Sequence, residues 1–286
     1  MTRRTHTRRT LAALALVASA TLALVGCAAG GSDDGATGEA AGDGHVTAGK
    51  LTIGTGEPAY FPWVVDDAPE SGEGFEAAVA YAVAEQLGFA DDDVVWVRTT
   101  FDQAIAPGPK TFDLNLQQFS ITEERAANVD FSSPYYATTQ VVITVAGSPA
   151  SGATSIDELQ KLNVGAQTGT TSLDAVEEII RPTAGASVFN TNDDAKFALQ
   201  NGTVDAIVVD LPTAFYLTGA ELDGGEIIGQ LPETSAGGDE FGFVLAKDSP
   251  LTDEVTAAVD ALRADGTLDA LAAEWLGGEG AAPVLE

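Results

Sequence analysis

Asp113-Leu-Asn-Leu-Gln-Gln-Phe-Ser-Ile-Thr-Glu-Glu-Arg125, running on as Ala126-Ala-Asn-Val-Asp-Phe-Ser-Ser-Pro-Tyr135, is the stretch on which the reading of this chain turns. Its opening alternates apolar and polar residues as a strand does, the alternation breaks at Ser120 to Thr122, and a short helix then carries Arg125 on its first turn. That succession aims one guanidinium and two hydroxyls at a point just beyond a strand end, where open α/β sheets bind their ligands. Arg125 is one of only four arginines after residue 26, with Arg98, Arg181 and Arg263. The same residues admit a plainer reading, an exposed ion pair of Arg125 with Glu123 or Asp130, because such pairs are common and weak.

Strand and helix alternate on both sides of this stretch. Upstream, residues 50–55 read as a strand. Residues 75–87 read as a helix with Phe75, Ala78, Val79, Ala82, Val83 and Leu87 on one face and a stop at Gly88. A strand over 94–97 and a helical turn over 101–106 follow, the latter ended by Pro107-Gly108-Pro109. Downstream, 140–146 is a β-branched strand. Ser155-Ile-Asp-Glu158 reads as a capping box for a helix to Leu162, followed by a strand over 163–166. Gly169-Thr-Thr-Ser172 leads a helix through Ile180, placing hydroxyls and free N–H groups at its start. A strand over 187–189, a helix over 193–200 and a strand over 205–209 bring the chain to Asp210. A helix over 212–217, strands over 226–231 and 240–246, a helix capped at Ser249-Pro250 and a last helix over 267–276 complete it. This order means an α/β fold with mostly parallel sheets. No internal repeat and no phosphate-binding loop is present.

Charge and composition narrow the function. A length of 286 residues suffices for one large core or two modest ones. Acids outnumber bases 43 to 13, a net charge of −30, which makes nucleic acid and anionic membrane surfaces poor partners. The first 26 residues read as an export signal: Arg3, Arg4, Arg8 and Arg9, an apolar run from Leu11 to Val25, then small residues. That run is too short to span a bilayer with margin. Leu24-Val25-Gly26-Cys27 looks like a bacterial lipobox, with cleavage before Cys27 and lipidation there; Arg8-Arg9 also permits a twin-arginine route. Cys27 is the only cysteine, so no intramolecular disulfide forms. Residues 28–47, rich in Gly, Ala and acid, read as a flexible tether. Both histidines, His6 and His45, fall in these segments. The folded body is therefore expected to lack histidine and cysteine, and with them histidine triads, thiol nucleophiles and ordinary zinc sites. Neither a cofactor nor a metal is expected.

Ser120-Ile-Thr-Glu-Glu-Arg125 with Asp130-Phe-Ser-Ser-Pro-Tyr135 closely resembles the signature of the polar amino-acid-binding proteins of ABC importers, bacterial solute-binding protein family 3 of the lysine/arginine/ornithine-, histidine- and glutamine-binding type. Phe241-Gly-Phe-Val-Leu-Ala-Lys-Asp-Ser-Pro-Leu251, Leu262-Arg-Ala-Asp-Gly-Thr-Leu268 and Glu274-Trp-Leu276 are similar to the C-terminal end of the same family. The likeness covers roughly residues 48–278. It implies the two-lobed periplasmic-binding-protein type II fold: lobe 1 at 48–138 and 236–279, lobe 2 at 139–235, a tail at 280–286, and a two-segment hinge that closes the lobes around a ligand. It also implies a monomeric, lipid-anchored receptor on the outer face of the cytoplasmic membrane, without enzymatic activity, that captures an amino acid and presents it to an ABC permease. Two rivals share the fold, a dehydratase-like extracellular enzyme and a sensor domain serving a separate receptor.

Residue by residue, the resemblance makes Arg125 the carboxylate-binding arginine, Ser120, Thr170 and Thr171 its supporting hydroxyls, and Asp210 the acid for the α-ammonium. The chemistry agrees, since every amino acid offers one carboxylate and one ammonium, which call for a donor fork and an acid a few ångströms apart. Asp210 could instead cap the Pro212 helix. Tyr60, Phe61, Trp63 and Phe101 match positions that sandwich the ligand side chain, although at least one of Phe61 and Trp63 belongs to the core. Glu57 aligns with an acid that reaches the side chain in relatives binding lysine, arginine, histidine or glutamine. A third acid in the pocket would need a donor from the ligand, which favours a basic or amide side chain; alternatively Glu57 is solvated on a loop. Gln117 and Gln118 depart from the small residues usual before Ser-x-Thr, and would narrow the pocket and add hydrogen bonds. The usual Gly-Phe-Asp is here Gly74-Phe75-Glu76.

Overall fold

The alternation is realised as two five-stranded sheets with helices packed against them. A computed structural model describes residues 44–232, 239–277 and 282–286, all within the unit Gly38–Glu286. The export signal, Cys27 and the tether as far as residue 43 lie outside the described residues.

The chain builds most of lobe 1 first: β1 (Leu51–Gly56), α1 (Phe75–Gln86), β2 (Val94–Thr99), α2 (Phe101–Ile105), β3 (Leu114–Asn115), α3 (Glu123–Ala126) and β4 (Val129–Phe131). It leaves by β5 (Tyr136–Thr138) for lobe 2, which comprises β6 (Gln140–Val145), α4 (Ile156–Leu159), β7 (Val164–Gln167), α5 (Thr171–Ala175), β8 (Ser187–Phe189), α6 (Asn192–Gln200), β9 (Ala206–Asp210), α7 (Leu211–Tyr216) and β10 (Gly225–Gln230). It returns by β11 (Asp239–Phe241) to add β12 (Val244–Ala246), α8 (Thr252–Ala264) and α9 (Thr267–Trp275) to lobe 1. The two crossings pair with each other, β5 antiparallel to β11. This ribbon is the two-segment hinge that the resemblance implies.

Strand order is β2-β1-β3-β12-β4 in one sheet and β10-β6-β9-β7-β8 in the other. In each, four strands share a direction and one opposes them, β12 in lobe 1 and β6 in lobe 2. The odd strand is the one that enters directly from the hinge, at the cleft end of its sheet, and so must run away from the cleft. Alternate residues of the lobe 2 strands face opposite ways, as the pleat requires. Val141, Ile143, Ile207 and Val209 pack with α6 and α7, while Val142, Ala206 and Val208 pack with α5 and the segment after it. In lobe 1, Leu51, Ile53 and Leu114 pack under Phe75, Val79, Val255 and Val259 of α1 and α8. A Cβ on Gly74 would lie 2.6 Å from the Trp63 carbonyl oxygen, and its φ of 103° excludes other residues. This glycine lets the loop before α1 lie against the helix start.

Several local expectations change. Ser155 makes no side-chain cap hydrogen bond; Glu158 accepts instead from the Thr154 N–H at 2.8 Å, and α4 is a single turn. The strand expected over 240–246 divides at Gly242, where a Cβ would meet Ile121 at 2.9 Å. α8 begins at Thr252, with Ser249 Oγ accepting from the Leu251 N–H at 3.3 Å rather than capping the helix. The end of the tether is laid onto lobe 1: the Val46 N–H donates to Asp113 Oδ1 at 2.6 Å, and the His45 ring packs edge-on against Phe89 at 5.2 Å. One histidine thus belongs to the folded body, contrary to the sequence reading. Residues 282–286, expected as a tail, dock on lobe 2. Gln230 N–H donates to the Pro283 carbonyl at 2.8 Å, Leu285 N–H to the Gln230 carbonyl at 2.9 Å, and Leu285 joins the core.

Candidate functional site

Arg125 reaches the cleft because α3 starts where it does. Thr122, extended at the N-cap, accepts from the Arg125 N–H at 3.2 Å. Its hydroxyl serves the helix start and does not join the guanidinium. The Arg125 side chain is buried. Nη1 donates to the Ser120 carbonyl at 2.7 Å and Nη2 to the Gly169 carbonyl, across the cleft, at 2.8 Å. The guanidinium carbon stands 5.3 Å from the centroid of the Phe101 ring, within cation–π range. Among the described residues no carboxylate lies within ion-pair distance of it. It is no surface pair with Glu123 or Asp130; Asp130 pairs with Lys247 at 3.1 Å.

Asp210 ends β9 and stands at the N-cap of α7 without making a cap hydrogen bond. Its Oδ1 accepts from Gln140 Nε2 at 2.8 Å. The same amide donates to Asp239 of the hinge strand and to Thr171 Oγ1 at 3.3 Å, while Gln140 Oε1 accepts from Ser172 Oγ at 2.6 Å. Ser120 Oγ and Thr171 Oγ1 meet across the cleft at 3.2 Å. Thr170 is turned inward, accepting from the Leu173 N–H at 3.2 Å and donating to the Gln167 carbonyl at 2.7 Å, so its hydroxyl holds the start of α5.

Arg125, Asp210, Ser120, Thr170 and Thr171 line one cavity of about 40 Å³, closed on its lobe 1 side by Phe101, Gln117 and Gln118. These last three also line an adjoining cavity of about 290 Å³, together with Glu57, Tyr60 and Trp63. Of the twelve residues named from the sequence, all but Phe61 therefore border these two adjoining cavities. They differ in how they do so. Trp63 is a core residue, 1 % exposed, packed on Phe75, Tyr136 and Phe241 with its Nε1–H donating to Thr213 at 3.2 Å. Tyr60 gives its hydroxyl to Asp193 of lobe 2 at 3.2 Å. Phe61 lies outside both cavities, against Tyr216 at 5.0 Å. Glu57 is exposed at the rim.

Electrostatics sets the two ends apart. Burial pushes the Asp210 carboxyl up to about 7 and neighbouring Asp239 adds to this, while the Gln140 hydrogen bond and Arg125 pull it back. Burial lowers the Arg125 guanidinium from its ordinary value, and the fields of Asp174, Asp239 and Asp210 counter it. A third group, noted in the sequence but not assigned to the site, joins them. Glu76, 1 % exposed in the first turn of α1, accepts from the Gln118 N–H at 2.8 Å, from the Gln118 amide and from the Tyr135 hydroxyl. Burial lifts it to about 7 against those three bonds. Its signals in the sequence are its place in Gly74-Phe75-Glu76, where the family usually has Gly-Phe-Asp, and an acid among the apolar residues that open α1. Gln140, at the head of a β-branched strand, gave no signal. No group of acids, histidines or cysteines able to hold a metal occurs among the described residues, and no helix among them is long and apolar enough to cross a membrane.

Residues 51–278 match the family model of bacterial extracellular solute-binding proteins, family 3. A probable histidine-binding protein of Campylobacter jejuni is 29 % identical over 261 residues, 90 % of this chain and 94 % of that protein. Among solved structures, an ancestral arginine-binding protein bound to glutamine is 30 % identical at a TM-score of 0.68, covering 81 % of this chain and all of the other. An ancestral amino acid-binding protein, a precursor of cyclohexadienyl dehydratase, is also 30 % identical, with a TM-score of 0.65 over 80 % of this chain and 95 % of its own.

Proposed function

Given that this chain belongs to the bacterial extracellular solute-binding proteins, family 3, we propose that it is a lipid-anchored, extracytoplasmic receptor. In this reading it captures an amino acid with a basic or amide side chain and delivers it to an ABC importer. One observation carries the reading. Among the described residues, a buried guanidinium with no carboxylate at ion-pair distance and a half-buried carboxylate with no cation at that distance line a single small cavity. Each charge lacks the partner that would offset its desolvation, and a zwitterion supplies both. Arg125 would take the ligand carboxylate, with Ser120 and Thr171 beside it, and Asp210 the α-ammonium. Phe101 would cover the aliphatic part, while Tyr60, Glu57, Gln117 and Gln118 border the space left for the side chain.

Arg125→Ala and Asp210→Ala should each weaken amino-acid binding by about 2 kcal/mol or more, because each leaves a desolvated charge unmatched. The measurement is calorimetry with the amino acid that most raises the melting temperature in a screen of all twenty plus ornithine and citrulline. Wild-type affinity in either variant would refute its role. Two carboxyls near neutrality in a cleft also suit a proton-transfer enzyme. Turnover of a prephenate-like acid by the purified protein would favour that reading over a receptor.

A further inference from the structure

The two glutamines before Ser120 have a fixed orientation. Gln117 is buried, and its amide nitrogen donates to Thr99 Oγ1 at 2.7 Å and to Asn115 Oδ1 at 3.0 Å. The Thr99 hydroxyl gives its own proton towards the Thr55 carbonyl at 3.5 Å and accepts from Asn115 Nδ2 at 2.9 Å, so it can only accept from Gln117. Gln118 holds a left-handed φ of 53°. Its backbone N–H and its amide nitrogen both donate to Glu76, on Oε1 and Oε2 respectively. Glu76 accepts on Oε1 from the Gln118 N–H and the Tyr135 hydroxyl and on Oε2 from the Gln118 amide, so the nitrogen end of Gln118 faces it. Both amide nitrogens are thus committed to lobe 1. No hydrogen bond among the described residues engages either carbonyl oxygen, and both residues line the 290 Å³ cavity. Glu57, Glu76 and Asp102 line it too, and among the described residues no lysine or arginine does.

We infer that Gln117 and Gln118 are specificity-determining residues whose carbonyl oxygens form an acceptor wall for a side chain ending in cationic N–H donors, a guanidinium or an ammonium. Glu76 is the positioning residue that holds Gln118 in this orientation. A carboxylate side chain would meet acceptors and acids with no cation to neutralise it, and a carboxamide would bring an acceptor of its own towards the wall. The inference rests on the amino-acid reading of the cleft and narrows it from basic or amide ligands to cationic ones.

The test is calorimetry on the whole folded chain with arginine, lysine, glutamine and glutamate, for the wild type, Gln117→Met and Glu76→Gln. Met keeps the volume of Gln117 without its carbonyl. An amide at position 76 presents both a donor and an acceptor, and so frees Gln118 to face either way. The expected wild-type result is arginine or lysine binding at least about tenfold tighter than glutamine and tighter still than glutamate. Each substitution should shrink the ratio of arginine to glutamine affinity by about tenfold, a change that a merely structural role, weakening all ligands alike, would not produce. Glutamine or glutamate binding as tightly as the cationic ligands, or an unchanged ratio in both variants, overturns the inference and leaves the amino-acid reading standing. Failure of every amino acid to bind the wild type removes that reading and the inference together.

Discussion

At the scale of single residues, the site is a set of polar groups whose partners were chosen by the fold rather than by the chain sequence. Asp210 illustrates this. Its ordinary value of 3.8 is raised to about 7 in the empty protein, so between roughly pH 4 and 7 the folded state keeps a proton that the unfolded chain has released. Ligand-free stability should therefore fall as pH rises through that window and level off above it. An ammonium seated on Asp210 favours its ionised form, so affinity should be full above about pH 7 and fall by up to about tenfold per unit below it. Calorimetry in buffers of different ionisation enthalpy should find nearly one proton released on binding at pH 5.5 and almost none at pH 8.5; equal release at both would contradict the assignment. The identity of the cleft residues was legible in the sequence because Ser-x-Thr-x-x-Arg and the acid after β9 are local patterns. Glu76 was not legible as a site residue. Its partners Gln118 and Tyr135 lie 42 and 59 residues away, and an acid in a helix looks solvated until its neighbours are known. The hydroxyls of Thr122 and Thr170 are taken up locally by the helix starts they precede.

At the scale of elements, periodicity located nearly every strand and helix, and capping details fared worst. Ser155 had the spacing of a capping box, yet Glu158 found the preceding residue's N–H. β4, β5 and β11 are three residues each, too short for alternation to register, although β5 and β11 are the hinge. Residues 280–286 follow a Gly-rich stretch and carry no periodicity, so the sequence offers only a tail there, of which 282–286 are described. What places it is a match to an edge already built, the exposed side of β10 at Gln230. Leu285, 2 % exposed, closes the core beneath that edge. Leu285→Ala should cost about 2–5 kcal/mol of unfolding free energy, read as an earlier denaturant midpoint with little change in slope. A midpoint like that of the wild type would mean that the docked segment contributes nothing to lobe 2.

At the scale of the whole molecule, the lobes are held in contact by groups from both sides. Arg125 reaches Gly169, Tyr60 reaches Asp193 and Trp63 reaches Thr213, with Phe61 laid on Tyr216. None of these pairs could be foreseen from one sequence, because each joins residues far apart in the chain that only the tertiary fold brings together. The proposed anchor acts at this scale as well. A lipid on Cys27 would keep the receptor within tether length of a permease, and Cys27→Ala should move the protein from the membrane fraction to the soluble one on cell fractionation. Retention of the variant with the membrane would argue for another means of attachment. The path of the chain has a further consequence. Lobe 1 is completed by β12, α8 and α9 and lobe 2 by Leu285, so neither core closes before the chain through residue 285 has been made. A polypeptide made from its N-terminus therefore acquires both cores only with its C-terminal elements, and the two halves mature together.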